Sequence, residues 1–158
     1  VVVVRRFTAA IALLAALVSA SVSADEISGR VVGVADGDTL TILTAEKQQV
    51  KVRLAQIDTP EKGQPYGQAS KKSLSDLCFG KDAVLKVEST DRYGRAVARV
   101  GCDGIDANRE QVRRGLAWAY LKYLTDRELL DVEAEARAGG RGLWADPDPV
   151  PPWEWRRR

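Results

Sequence analysis

The sequence predicts an α+β domain of mainly β character, built as a small five-stranded barrel with about three α-helices packed outside it. Three observations point there. Short runs of alternating apolar residues are separated by tight polar turns. Longer stretches with helical spacing are bounded by capping residues and glycines. The length of 158 residues suits one domain with a proper core, and neither an internal repeat nor a second domain is visible.

Ile27–Ala35 alternates loosely through Ile27, Val31, Val32 and Val34 and reads as the first strand. Asp36-Gly37-Asp38-Thr39 is a turn of the Asp-Gly hairpin kind. Leu40–Leu43 continues as the second strand, Thr44–Gln49 is a polar turn, and Val50–Ile57 is the third strand. In that strand Val50, Val52 and Leu54 alternate with Lys51 and Arg53, as expected for one buried face. Pro60 is expected to end the ladder, since it has no N–H to donate. Tyr66–Cys78 carries Ala69, Leu74, Leu77 and Cys78 on one helical side and stops at Gly80. Ala83–Val87 and Ala96–Val100 are the last two strands. Asp106 is placed to cap a helix through Arg114 that ends at Gly115. Thr125-Asp126-Arg127-Glu128 fits a capping box ahead of a third helix, whose Leu129, Val132 and Ala136 share a face. Five strands and three helices in a chain of this size suit an OB-type barrel.

Residues 1–24 are expected to be a cleaved signal peptide rather than part of the barrel. Arg5 and Arg6 precede the short apolar run Ile11–Val18, and Val22-Ser23-Ala24 has the small residues of a cleavage site. A membrane anchor needs about 20 apolar residues, so no stable membrane association is expected after cleavage. The domain then runs over residues 25–145. Residues 146–158, rich in proline, tryptophan and arginine, are expected to form an extended tail, with Arg156-Arg157-Arg158 as a solvated end; contact with phosphate is the other reading of these arginines. The expected location is secreted or periplasmic, and the expected state a monomer.

Composition excludes several chemistries. The chain has no histidine, which removes Ser-His-Asp and Cys-His catalysis and every imidazole acid or base. Two cysteines without histidine make no zinc site. Behind a secretory leader, Cys78 and Cys102 are allowed to form a disulfide, closing a loop of about 25 residues for roughly 3 kcal/mol; two buried thiols are the alternative. The 24 basic and 22 acidic residues give +2, and loss of Arg5 and Arg6 with the leader makes the remainder neutral. Nucleic-acid binding must then rest on local clusters rather than on a global field. Chemistry is left to carboxylates, guanidinium groups, or a metal held through oxygen.

Those groups cluster. Asp38 in the first turn and Asp58 at the end of the third strand can converge if the meander curls, and paired carboxylates suit a hard cation; a plain hairpin turn is the other reading of Asp36–Thr39. Glu61, just past Pro60, can point into a cleft to take a proton from water, or can be an ordinary surface acid. Arg53 on the strand and Arg95 in Asp91-Arg92-Tyr93-Gly94-Arg95 offer forks that match phosphate oxygens; the latter stretch also reads as a polar hairpin loop. Together they form a phosphodiesterase set without histidine.

Asp36-Gly37-Asp38-Thr39, Arg53 through Asp58-Thr59-Pro60-Glu61, and Asp91-Arg92-Tyr93-Gly94-Arg95 resemble the three signature blocks of the staphylococcal-nuclease-like (thermonuclease) family, in the family's order. Asn108–Gly115 and Gly142-Leu143-Trp144 resemble its later segments. The resemblance spans roughly Ile27 to Trp144. It implies an OB-type barrel and calcium-dependent, sugar-non-specific cleavage of DNA and RNA to 3′-phosphate products. It further implies Asp38, Asp58 and the Thr59 carbonyl as calcium ligands, Glu61 as the group that activates water, and Arg53 and Arg95 as phosphate-binding catalytic arginines. Tyr93 matches a tyrosine near the substrate phosphate. Tyr120 and Tyr123 are approximate counterparts of base-stacking tyrosines, and aromatics at such spacing also serve as core. Three departures stand out: the Glu61–Tyr66 segment is shorter than the flexible loop of the best-known member, the mature chain is neutral where that member is basic, and the base-stacking tyrosines have only these approximate counterparts. The alternative is a non-catalytic OB module that binds single-stranded nucleic acid, although such a module would be expected to lose one of these charged groups.

Overall fold

The computed structural model describes residues 26–158, so the leader assigned to residues 1–24 lies outside the described residues. Strands β1 (Glu26–Val34), β2 (Thr39–Leu43) and β3 (Gln49–Leu54) form the antiparallel meander. A two-residue strand β4 (Ile57–Asp58) follows, then helix α1 (Gly67–Cys78). Strands β5 (Asp82–Thr90) and β6 (Ala96–Cys102) form a hairpin, and a short β7 (Ile105–Asp106) extends it. Helix α2 (Ala107–Arg113), the two-residue β8 (Trp118–Ala119), helix α3 (Glu128–Ala138) and one helical turn α4 (Pro152–Trp155) complete the order.

The barrel closes because β5 pairs with β1 on one side and β6 returns to β3 on the other. That last pairing is parallel, with Val52 opposite Ala96, Arg53 opposite Val97 and Leu54 opposite Ala98. Five strands thus form a ring without a long open edge, which is the OB-type architecture expected. Register shifts between Val31 and Gly33 and between Val87 and Ser89 supply the local bends that closure of so small a barrel needs. Val31, Leu40, Ile42, Val52, Leu54, Leu85 and Val100 fill the interior. Leu74 and Leu77 of α1, Val112 of α2 and Leu129 and Val132 of α3 belong to the same cluster.

Two expectations are corrected. The third strand does not run to Ile57 and end at Pro60; its ladder stops at Leu54. Gln56 adopts a left-handed φ of 65°, which turns the chain and makes Ile57–Asp58 a separate strand pairing with Trp118–Ala119. Asn108 takes over the polar groups at the break: its Nδ2 donates to the carbonyls of Ala55 and Ala98, and its Oδ1 accepts from the Val100 N–H. The capping box at Thr125 does not form either. Gln56 Oε1 accepts from the N–H groups of Thr125 (2.9 Å) and Asp126 (2.8 Å), so tertiary contact replaces the local cap and α3 begins three residues on. Asp106 does cap α2, accepting from Arg109 N–H at 3.0 Å.

Cys78 at the end of α1 and Cys102 at the end of β6 are disulfide-bonded, with Cα atoms 5.3 Å apart and a separation of 24 residues. Gly37 is held by space rather than by φ. A Cβ there would run into Ser70 Oγ, lie 2.7 Å from Ser70 Cβ and press on Thr59, and Ser70 cannot swing away while its hydroxyl donates to Leu116 C=O at 2.7 Å.

Urea denaturation should show the double variant Cys78→Ser/Cys102→Ser losing about 3 kcal/mol, as expected for release of a loop of that size. Gly37→Ala should lose ~1–3 kcal/mol through overpacking against α1, and an unchanged midpoint would remove the steric account.

Candidate active site

The break at Gln56 aims Asp58 at the turn that carries Asp38. In that turn Asp36 Oδ1 accepts from Asp38 N–H (3.0 Å), while Gly37 C=O accepts from buried Gln111 Nε2 (2.7 Å). Leu54 N–H donates to Asp38 C=O at 2.8 Å, tying the turn to β3. Asp38 Oδ2 accepts from both the N–H (3.1 Å) and the hydroxyl (2.8 Å) of Thr59. Arg53 stands between the acids: Nη1 lies 2.8 Å from Asp38 Oδ2 and Nη2 lies 3.1 Å from Asp58 Oδ1. Asp38, Asp58 and Thr59 are all buried. Burial pushes the Asp38 carboxyl up to about 7 against the pull of Arg53, with Asp36 and Asp58 adding to the push.

Arg95 reaches the same site from the β5–β6 hairpin. Asp91 Oδ1 accepts from the N–H groups of Tyr93 (2.9 Å) and Arg95 (3.0 Å), and Oδ2 accepts from Arg95 Nε (2.7 Å). Although burial opposes it, these bonds from Arg95 hold the Asp91 carboxyl below its ordinary value. The other end of the guanidinium, Nη1, donates to Thr39 Oγ1 at 3.4 Å, and that hydroxyl donates to Asp38 Oδ1 at 3.2 Å. Asp91 is therefore an orienting group that sequence analysis placed only within a turn. Gly94 permits the tight hairpin with a φ of 78°. Tyr93 is 70% exposed, and Arg95 lies over its ring at 5.5 Å.

Glu61 is joined to this cluster by a residue read as solvated. Arg156 spans the two acids: Nη2 is 2.7 Å from Asp58 Oδ2, and Nη1 donates to Asp58 Oδ1 (3.2 Å) and Glu61 Oε1 (2.6 Å). The expectation of a solvated end fails for Arg156 because Asp58 is a buried anion that needs a cation beside it. The expectation of an extended tail fails over Pro152–Trp155, where the chain makes one helical turn and packs back. Trp153 stacks on Tyr120 with centroids 5.4 Å apart and planes within 4°, and meets Trp118 edge-on at 5.6 Å. Tyr123 is exposed and sits edge-on to Tyr120 at 5.2 Å. Gln64 anchors the short Glu61–Tyr66 turn, accepting from Glu61 N–H (3.0 Å) and donating to Val150 C=O (2.6 Å).

The structure thus brings Arg53, Asp38, Asp58 and Thr59 into direct contact, links Glu61 through Arg156, and links Arg95 through Thr39. Tyr93 borders Arg95, whereas Tyr120 and Tyr123 belong to a neighbouring aromatic group rather than to the charged cluster. Among the described residues no three or more His, Cys, Asp or Glu side chains form a metal cluster. The donors that do converge, two carboxylates beside Thr59, are all oxygen and already carry guanidinium groups on both acids. That set fits a hard divalent cation completed by water.

The family model described as "Staphylococcal nuclease homologue" matches residues 51–146. The chain is 46% identical over 146 residues to an "Uncharacterized endonuclease" of Haemophilus influenzae, covering 92% of this chain and 82% of that protein. It is 46% identical over 134 residues to an "Uncharacterized endonuclease" of Escherichia coli O157:H7, covering 84% and 87%. It is 38% identical over 143 residues to a "Micrococcal nuclease" of Shigella flexneri, covering 84% and 82%. Barrel and similarity agree: this chain belongs to the staphylococcal nuclease family.

Proposed function

We propose that this chain is a secreted or periplasmic nuclease, calcium-dependent and indifferent to the sugar, that hydrolyses DNA and RNA to 3′-phosphate products. The observation that carries the proposal is the meeting of two buried carboxylates, Asp38 and Asp58, on Arg53, with Glu61 and Arg95 at the edge of the same site. Family membership and relatives named endonuclease and micrococcal nuclease support the reaction class. A hard cation is supported by the all-oxygen donor set, and calcium in particular by the family resemblance. Export is supported by the leader pattern at residues 1–24 and by the Cys78–Cys102 disulfide. A monomer is the proposed active form. No helix among the described residues is long and apolar enough to cross a membrane.

Asp38, Asp58 and the Thr59 carbonyl would hold the cation. When bound, it supplies Lewis-acid polarisation of a phosphate oxygen and a fixed positive charge. The chain's own groups do the rest. Glu61 accepts a proton from a water whose oxygen attacks phosphorus in line; the P–O5′ bond breaks and the departing oxygen takes a proton from solvent, leaving a 5′-hydroxyl. Arg53 and Arg95 present guanidinium donors to the phosphate oxygens, where negative charge grows as phosphorus becomes five-coordinate. Arg95 has no rotamer search to make, because Asp91 already fixes its Nε and its backbone. Exposed Tyr93 flanks the phosphate, and exposed Tyr123 offers a ring face for a base, whereas Trp153 stands on Tyr120.

Cleavage of single-stranded DNA and RNA by the chain from Asp25 should require calcium, and Glu61→Gln and Arg95→Ala should each lower kcat by about two to three orders of magnitude. Asp91→Asn should lose about tenfold, since it frees Arg95 without removing it. Binding without cutting in any metal would instead make the chain a nucleic-acid-binding barrel. Calcium titrations between pH 5 and 8 supply a further check. Asp38 is protonated below about 7, so affinity should weaken as pH falls through that value, approaching tenfold per pH unit for one displaced proton. A flat profile would remove Asp38 from the ligand set.

A further inference from the structure

We propose that residues 146–158 gate the active site, Arg156 standing on the carboxylates where the cation would bind and Trp153 covering the ring of Tyr120. The inference rests on the cation assignment above and goes beyond it. Arg156 occupies both oxygens of Asp58 and one of Glu61, and Arg53 already shares Asp58 Oδ1. A cation and Arg156 therefore compete for the same lone pairs. One positive charge standing in for two keeps buried Asp58 satisfied when no metal is present.

The segment is docked at several points, so Arg156 is delivered rather than left to find the site. Gln64 holds Val150 C=O, Pro152 is buried, and Trp153 packs between Tyr120 and Trp118. Pro151 and Pro152 stiffen the approach and set the start of the helical turn that spaces Trp153 from Arg156. The parallel stack of Trp153 on Tyr120 is the arrangement a nucleobase would take on that ring, so the segment covers an aromatic face and the carboxylates at once. It is also displaceable. The side chains of Arg156 and Glu61 are 42% and 41% exposed, so their ion pair is screened by solvent and by salt. The turn from Glu61 to Tyr66 is the edge on which the segment docks, so opening the gate and releasing Glu61 from Arg156 are one movement.

Calcium binding without nucleic acid, followed by calorimetry on the full chain and on Arg156→Ala, tests the gate, with hydrogen exchange of residues 146–158 read with and without calcium. Arg156→Ala should bind calcium about tenfold more tightly, and Arg156→Lys, which cannot span both acids, should fall between. Calcium should speed exchange across the segment in the parent chain, and Trp153→Ala should show fast exchange from the start. Equal affinities with unchanged exchange would overturn the gate and leave the nuclease reading standing. A variant with unchanged calcium affinity but lower cleavage at saturating calcium would also overturn it, making Arg156 a substrate-binding group. Absence of calcium binding in both proteins would sink the cation assignment itself, and the gate with it.

Discussion

Two carboxylates buried side by side repel each other and lack water, so they persist only where cations and hydrogen-bond donors are built around them. Asp38 and Asp58 are such a pair, and much of this structure is the machinery that holds them. Arg53 bridges them, Thr59 donates twice to Asp38, and Arg156 closes over Asp58. Gln111 reaches from α2 to fix the carbonyl of Gly37, and α1 approaches so closely that only glycine fits there. The helices outside the barrel therefore do more than cover apolar strands. They press the Asp36–Asp38 turn into place.

The barrel supplies the other half of the constraint. Closing five strands requires β6 to run back alongside β3, and this brings Arg53 and the Arg95 hairpin to the same rim. The rim is also where β3 fails to continue. Gln56 turns the backbone there and ties three separate segments together through one amide: its Nε2 donates to Glu88, and its Oε1 accepts from Thr125 and Asp126. Asn108 repairs the broken ladder. A strand that ran smoothly to Pro60 would carry Asp58 past the site rather than toward Asp38. The interruption is what gathers these charged groups at one rim of the barrel.

Electrostatics at the site divides into a buried half and a wet half. Asp38, Asp58 and Arg53 interact under low screening, where charge must be matched group by group. Glu61, Arg156, Tyr93 and Tyr123 lie at the exposed margin, where contacts are weaker and exchange readily with solvent or ligand. A rigid buried half fixes geometry, and a wet half admits a large charged polymer. This division makes it physically reasonable for one segment of the chain to occupy the margin without disturbing the floor.

Local pattern along the chain encodes the elements and the candidate charged groups. Alternation placed the strands of the barrel, Asp106 marked the start of α2, and three short blocks offered Asp38, Arg53, Asp58, Glu61 and Arg95 as candidates, whose roles came from the family resemblance rather than from spacing. The remaining contacts depend on neighbours distant in the chain. Gln56, Asn108, Asp91 and Gln111 look like ordinary polar residues until closure gives them partners. Thr125 looks like a cap until Gln56 supplies a better acceptor. Arg156 looks like solvated charge until Trp153 and Gln64 fold the chain back over a buried anion 98 residues away. Periodicity reports which face of an element is buried, but not against what. The partner of a buried charge is a property of the closed fold.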